Sequence, residues 1–298
     1  RRDPSYAPAL YLRAHLQFRA GKLEEAEQGL RPLVDSRLPK DVRVRAAYDL
    51  GAVLDRRARF DEAMVAFRTA KALLQSEAAP YFAMRKQLAG RVAAMIEQVS
   101  DDLLRQWSDF RRELDPSYRL VLLGGHPRSG TTLLEQVLDA HPDIASVEET
   151  NHFMDYVGMP IERCWPPGTP VARSLHAATR ELLLSCRRNY FRASELCLGS
   201  SLGDRILVDK NPSLTLWLPQ LVRAFPEIKF LIALRDPRDV VLSCYMQPML
   251  PVQHVSSTWL DLDTAADEYV FVMSVWRAFG PRLPNPSLEV RYEEMVVD

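Results

Sequence analysis

At about 150 residues per domain, a chain of 298 residues has room for two domains. Its 47% apolar and 26% charged residues can fill a packed core, which excludes disorder, collagen and a small disulfide-built scaffold. The net charge of −1 argues against a general nucleic-acid binder. The charge is uneven, with 21 basic against 17 acidic side chains in residues 1–118 and 17 against 22 in residues 119–298. An anion bound by the acidic second half must therefore be held by a few well-aimed cations rather than a broad field.

From the N-terminus, the first pattern is an internal repeat. Ala14 aligns with Gly51, Leu23 with Phe60, Glu25 with Glu62, Ala26 with Ala63 and Leu30 with Phe67, each pair 37 residues apart. Both copies read as a helix, a short polar turn and a second helix opened by "EEA" or "DEA". Small residues (Ala14, Gly51, Ala26, Ala63) fall where two helices would approach closely. This resembles the tetratricopeptide repeat of about 34 residues, with Leu38-Pro39-Lys40 absorbing the difference. Such an all-α repeat region, residues 1–112 with its linker helix, would hold a protein partner or mediate self-association. Two repeats fall short of the roughly three that a stable stack needs, so more are expected upstream, or Pro80–Arg112 closes the array. That stretch carries an apolar stripe (Phe82, Leu88, Val92, Met95, Ile96, Val99, Leu103, Leu104, Trp107) and reads as one long helix, broken at Asp115-Pro116.

Beyond Arg119 apolar runs alternate with helical patterns. Strands are predicted at Leu120–Leu123, Ile144–Val147, Ile206–Val208, Ile228–Leu234 and Leu288–Val290. Helices are predicted at Thr131–Ala140, Leu214–Ala224, Asp239–Met246 and Ala265–Phe279. Continuously apolar strands separated by helices predict an α/β, P-loop-like, three-layer domain with a parallel sheet, residues 119–298. Pro160–Pro170, with four prolines, reads as a surface loop or lid.

No apolar run reaches the ~18 residues of a membrane span, and no signal peptide opens the chain. It starts at Arg1 without methionine and stops at Val297-Asp298 just past a strand pattern. It reads as part of something longer, leaving upstream targeting open. Cys164, Cys186, Cys197 and Cys244 show no Cys-x-x-Cys and no zinc spacing, so buried free thiols in a reducing, cytoplasmic compartment are expected, with no metal.

Two stretches carry chemistry. The first strand runs into Gly124-Gly125-His126-Pro127-Arg128-Ser129-Gly130-Thr131-Thr132 and then a helix. A glycine-rich strand–helix turn gathers backbone N–H groups at a helix N-terminus, which favours an anion such as a phosphate. A triphosphate loop would continue Gly-Lys-Ser/Thr. Here Thr131 replaces the lysine, no second carboxylate motif for Mg²⁺ is evident, and Arg128 supplies the charge. His126 reads as a packing or capping residue. The second stretch is Arg235-Asp236-Pro237-Arg238-Asp239 after Phe230–Leu234, with Asp236 as N-cap and Pro237 at the first helical position. Two anion sites, each with an arginine near a strand end, suit a ligand with two separated phosphates.

The blocks "LLGGHPRSGTTLLEQVLDAHPDIASVEET" (Leu122–Thr150), "VDKNPSLTLWLPQLVRAFPEIKFLIALRDPRDVVLSC" (Val208–Cys244) and "LEVRYEEMV" (Leu288–Val296) resemble the sulfotransferases, in particular the tyrosylprotein-sulfotransferase-like branch. The resemblance implies an enzyme that uses 3′-phosphoadenosine-5′-phosphosulfate (PAPS) as co-substrate and a hydroxyl compound as acceptor. It implies that Arg128, Ser129, Gly130, Thr131 and Thr132 bind the 5′-phosphosulfate. Arg235 and Ser243 would bind the 3′-phosphate, and Tyr292 would contact the nucleotide. Glu149 falls at the general base, and Lys210, with Arg128, at the cations acting on the transferring sulfonate. Departures from the family pattern are Asn151 and Asp155 where basic residues read an acidic tyrosine peptide, Ser146 and Val208 where luminal members carry a disulfide, and Gln247 at a further 3′-phosphate arginine. The family's adenine-covering segment after Tyr292 lies beyond Asp298, which implies weaker donor binding by this chain. Beside this reading stand a P-loop phosphotransferase and a non-catalytic repeat scaffold with a vestigial nucleotide site.

Overall fold

A computed structural model describes residues 5–34, 37–249 and 254–297. Arg1–Pro4 and Asp298, where the two ends of the predicted domains fall, lie outside the described residues. The chain divides into two compact units, residues 1–86 with 241–268, and residues 87–240 with 269–298.

In chain order the helices are α1 (Ala7–Arg19), α2 (Leu23–Leu30), α3 (Lys40–Arg56), α4 (Phe60–Gln98), α5 (Asp101–Asp109), α6 (Thr131–Asp139), α7 (Met159–Arg163) and α8 (Val171–His176). There follow α9 (Arg180–Leu198), α10 (Leu218–Ala224), α11 (Pro237–Met246), α12 (His254–Thr258), α13 (Leu262–Phe279) and α14 (Tyr292–Met295). The strands are β1 (Leu120–Gly125), β2 (Ile144–Glu148), β3 (Ile206–Lys210), β4 (Lys229–Leu234) and β5 (Ser287–Arg291). Among the described residues no helix is long and apolar enough to cross a membrane.

In the first unit the repeat in the sequence becomes a repeat in backbone geometry. α1 turns into α2 through Gly21 and α3 into α4 through Ala58, and these two left-handed residues (φ +76° and +55°) stand 37 positions apart. Ala14, Ala26 and Ala63 are buried where helices pack. A Cβ at Gly51 would come within 2.7 Å of the Phe67 ring, so the absence of a side chain is what lets α3 and α4 close. Glu27 of α2 is buried, accepts hydrogen bonds from Arg31 and Arg59 and is paired with Arg57.

The linker differs from its expected form. α4 already runs through Pro80, which is exposed and interior to the helix, and the helical stretch is interrupted at Val99-Ser100. Ser100 accepts a hydrogen bond from the Leu103 N–H and starts α5, an N-cap that ends one helix by opening another. Pro160–Pro170 is likewise a loop only in part, because Pro160 sits at the start of α7. Cys186 and Cys244 are buried as expected, whereas Cys164 and Cys197 are exposed; each of these lies at the C-terminal end of a helix, and all four are free thiols.

The second unit is built on a five-stranded, wholly parallel sheet in the order β2-β3-β1-β4-β5. The period-two alternation of a strand sorts its residues to two cores. Leu122, Leu207 and Ile232 face a large cluster with Trp107, Phe153, Tyr190 and Phe225. Leu123, Val208 and Ala233 face a smaller one closed by Leu134 of α6. Covered faces explain the continuously apolar strands.

A buried arginine ties this unit together. Arg187 of α9 is 1% exposed and donates to Glu227 (2.5 and 3.0 Å) and to the carbonyls of Ala224, Leu114 and Pro116. Glu227 in turn accepts from the Tyr118 N–H, so the segment entering β1 and the turn before β4 hang on one ion pair. Asp209, also buried, accepts from the Tyr190 hydroxyl at 2.8 Å. Burial pushes its carboxyl up to about 7, against the opposing pull of Tyr190 and Lys210.

Replacing Arg187 by Met should cost roughly 3–5 kcal/mol, because Glu227 is left buried and unpaired. The double variant Arg187→Met/Glu227→Leu should recover most of that loss in urea unfolding, and additive losses would contradict the assignment. Because the unfolded Asp209 loses its proton near pH 4 and the folded one near 7, its burial costs stability progressively as pH rises between those values. Asp209→Asn should therefore gain on the parent chain by up to ~1.4 kcal/mol per pH unit across that window. A stability difference that stays flat with pH would refute this.

Candidate active site

The strand order sets where the site can form. The chain leaves β1 towards β2 on one side and leaves β4 towards β5 on the other, although β1 and β4 are neighbours. Such a switch point opens a crevice at the carboxyl ends of the two strands, the usual ligand position in open parallel sheets. The two stretches singled out in the sequence begin there, one after β1 and one after β4.

After β1 the chain makes the tight turn His126–Gly130. Ser129 N–H donates to the His126 carbonyl at 3.2 Å, and Gly125, Arg128 and Gly130 take positive φ values of +121°, +73° and +90°. Two glycines are required sterically. A Cβ on Gly125 would lie 2.4 Å from the Ala233 carbonyl oxygen of β4, and one on Gly130 would lie 2.5 Å from the Tyr292 ring. Gly130 is the N-cap of α6 and no side chain caps this helix, so its first amides keep their capacity for an anion. Ser129 and Thr131 are buried, while Arg128 and Thr132 are exposed. His126 is 1% exposed, and its Nδ1 lies 2.7 Å from the Pro127 carbonyl oxygen. Burial lowers its pKa to about 4, so the ring is a neutral packing element against Tyr269.

After β4, Arg235 turns back onto the same turn. Its Nη1 donates to the Arg128 carbonyl at 3.5 Å, its Nη2 donates to Asp239 at 3.3 Å, and its guanidinium lies 4.5 Å from the centroid of the Tyr292 ring. The Arg235 Nε is buried and makes no hydrogen bond. Asp236 accepts from the Arg238 N–H at 2.9 Å and from its side chain, which holds the Asp236 carboxyl down at about 2. Arg128, Gly130, Arg235 and Tyr292 are thus neighbours although they lie far apart in the chain. Ser243 lies two turns further along α11 and belongs to the first unit.

A second cluster sits one strand away. Glu148 of β2 is in register with Lys210 of β3, and Lys210 is in register with Leu123 of β1. Just past β2, Glu149 adopts a left-handed φ of +47° and donates its N–H to the Lys210 carbonyl at 2.9 Å. The Lys210 side chain is wholly buried, with its Nζ 2.6 Å from Glu148, 3.1 Å from Glu149 and 3.7 Å from Glu135. Burial opposes its charge, but the hydrogen bonds it donates to Glu148 and Glu149 outweigh that and raise its pKa above the ordinary lysine value. Burial raises the pKa of Glu135. The side chains of Glu148 and Glu149 remain about 60% exposed. The geometry brings Glu149 and Lys210 together and adds two carboxylates that sequence reasoning did not single out. Glu135 had a signal: it stands four residues after Thr131, on the same face of the helix that opens in the anion turn. Among the described residues no group of His, Cys, Asp and Glu side chains is arranged to hold a metal ion.

Comparison with known proteins meets this geometry. The family described as the sulfotransferase family matches residues 121–298, the span holding every residue of both clusters. The chain is 35% identical over 126 residues to protein-tyrosine sulfotransferase 1 of Mus musculus, covering 42% of this chain and 33% of the relative. It is 33% identical over 183 residues to protein-tyrosine sulfotransferase 1 of Danio rerio, covering 60% of this chain and 49% of the relative. The matches thus span a third to a half of the length of these curated relatives. A family match over residues 121–298, more than half of the sequence, settles the membership: the chain belongs to the sulfotransferase family.

Proposed function

We propose that this protein transfers a sulfonate group from PAPS to a hydroxyl acceptor. The observation that carries the reading is the return of Arg235 onto the Arg128 turn, which sets a strand-end cation against the turn that opens helix α6. A donor with a 5′-phosphosulfate and a 3′-phosphate presents two anionic groups, and the site offers two matching places. Arg128, Ser129, Gly130, Thr131 and Thr132 would hold the 5′ group with backbone N–H groups and one guanidinium. Arg235 would take the 3′-phosphate, with Ser243 as a further contact and Tyr292 against the nucleotide. The buried, unbonded Nε of Arg235 fits a site that awaits an anionic acceptor of hydrogen bonds.

In the reaction, the acceptor oxygen bonds to sulfur as the bond from sulfur to the phosphate oxygen breaks. The acceptor proton passes to Glu149, and adenosine 3′,5′-bisphosphate leaves. As in phosphoryl transfer, the work is positioning and charge stabilisation. Glu149 is exposed enough to meet an acceptor and is anchored through its backbone to Lys210. Lys210 stays charged at neutral pH because its carboxylate partners raise its pKa. With Arg128 it can face the charge that spreads over the sulfonate oxygens. Metal chemistry is not called on. The relatives are named for protein tyrosine, a hydroxyl acceptor of this class. Asn151 and Asp155 add no positive charge after Glu149, which argues against an acidic tyrosine peptide as the acceptor.

Thermal shift should show stabilisation by adenosine 3′,5′-bisphosphate, with ATP–Mg²⁺ giving a smaller effect; stabilisation by ATP–Mg²⁺ alone would overturn the reading in favour of a phosphotransferase. Arg235→Ala should weaken bisphosphate binding by roughly 10–100-fold, the worth of a hydrogen-bonded charge. Glu149→Gln should leave that binding intact while lowering ³⁵S transfer from PAPS by about 10²–10⁴-fold. Unchanged transfer in the Glu149 variant would remove the residue from the role of base.

A further inference from the structure

Gly125 ends β1, and the sheet does not supply its hydrogen bonds on the β3 side. Two residues earlier, Leu123 faces β3 and its carbonyl accepts from the Asn211 N–H at 3.2 Å. Alternation along the strand points the Gly125 amide and carbonyl to that same side. There β3 has already ended: its last paired residue is Lys210, opposite Leu123, and the chain turns into the 3₁₀ segment Pro212–Trp217. A buried N–H and C=O without partners would be costly, and such groups are rarely left so. Thr215, from the 3₁₀ segment, fills the vacancy in the ladder. Gly125 N–H donates to Thr215 Oγ1 at 2.8 Å, and the same hydroxyl donates to the Gly125 carbonyl at 2.9 Å. Thr215 is fully buried, and a Cβ on Gly124 would come within 2.9 Å of its oxygen, so the fit is close.

We infer that Thr215 is a positioning residue of the donor site: its hydroxyl fixes the root of the anion turn and ties it to the segment that follows Lys210. The inference rests on the proposed sulfonate transfer and adds a residue to it. Gly125, at φ +121°, sets the direction in which His126–Gly130 leaves the sheet. Lys210 stands five residues before Thr215. One side-chain hydroxyl thereby relates the turn that would hold the 5′ group to the cation that would act on the sulfonate. Without it, both Gly125 groups are unpaired and the turn can pivot on its strand.

The test is calorimetric titration of adenosine 3′,5′-bisphosphate into the parent chain, Thr215→Val and Thr215→Ser, with urea unfolding of each. Val keeps the shape and removes the hydroxyl, so the bisphosphate should bind about 10-fold more weakly, the value of an unmet buried hydrogen bond. Ser should restore binding to within about 3-fold of the parent, even where its stability is reduced. A purely structural role would lower the unfolding midpoint of Val and leave the affinity of the folded protein unchanged, and that result overturns the inference. Should Val not fold, hydrogen exchange in the parent chain decides: the Gly125 amide should be as protected as that of Leu123 before any ligand is added, and rapid exchange there overturns the inference. A parent chain that binds no bisphosphate overturns the functional reading, and this inference with it. A parent that binds, with a Val variant equal to it, overturns the positioning role alone.

Discussion

A charge that cannot reach water has to be answered by the protein around it, and the Lys210 ammonium is answered by three carboxylates. Glu148 and Glu149 reach it from the end of β2, and Glu135 reaches it from the helix that opens in the anion turn. Taking one charge out of water costs several kcal/mol, so the arrangement holds only when the carboxylates stay close. The lysine therefore acts as a pin. It aligns the carboxyl ends of β2 and β3 and sets α6 against both. In the proposed reaction the same pin becomes a working part, because an incoming sulfonate competes with Glu149 for the ammonium and leaves that carboxylate free to take a proton.

The inner strands β1, β3 and β4 were legible because burial on both faces demands apolar residues, whereas the edge strand β5 is largely exposed and was legible only from its short apolar pattern. Leu120–Leu123, Ile144–Val147, Ile206–Val208, Ile228–Leu234 and Leu288–Val290 all became strands, and in β2 and β3 the true strand runs on into polar residues, to Glu148 and Lys210. Those polar extensions are where the second cluster lies. α9 was invisible to an apolar-stripe argument. Its buried face includes Arg187 and Ser194 beside Leu183, Tyr190 and Phe191, so a charged residue interrupts the stripe at its centre. The interior of α4 misled in the opposite sense. Pro80 reads as a helix start, yet an exposed proline is tolerated where packing on the other face continues.

Of the donor cluster, the turn after β1 was legible from glycine spacing alone. Arg235 was legible as a cation at a strand end and Tyr292 only through the family resemblance; the structure adds that both lie against the turn, Arg235 at the Arg128 carbonyl and Tyr292 beside Gly130. Glu148 and Thr215 could not be found by motif. One is visible through strand register, the other through the hydrogen bonds that β3 fails to make. The first unit shows the reverse case, in which a repeat of 37 residues is written twice into the backbone, down to the left-handed residue at each turn.

The contact between Gly130 and Tyr292 joins two points separated by more than half the chain. The turn precedes β2 to β5 in the chain, while its covering ring follows β5. A chain ending before β5 would carry the cations of the turn without the ring against which they are set, so one wall of the crevice depends on residues far along the sequence from the turn it covers.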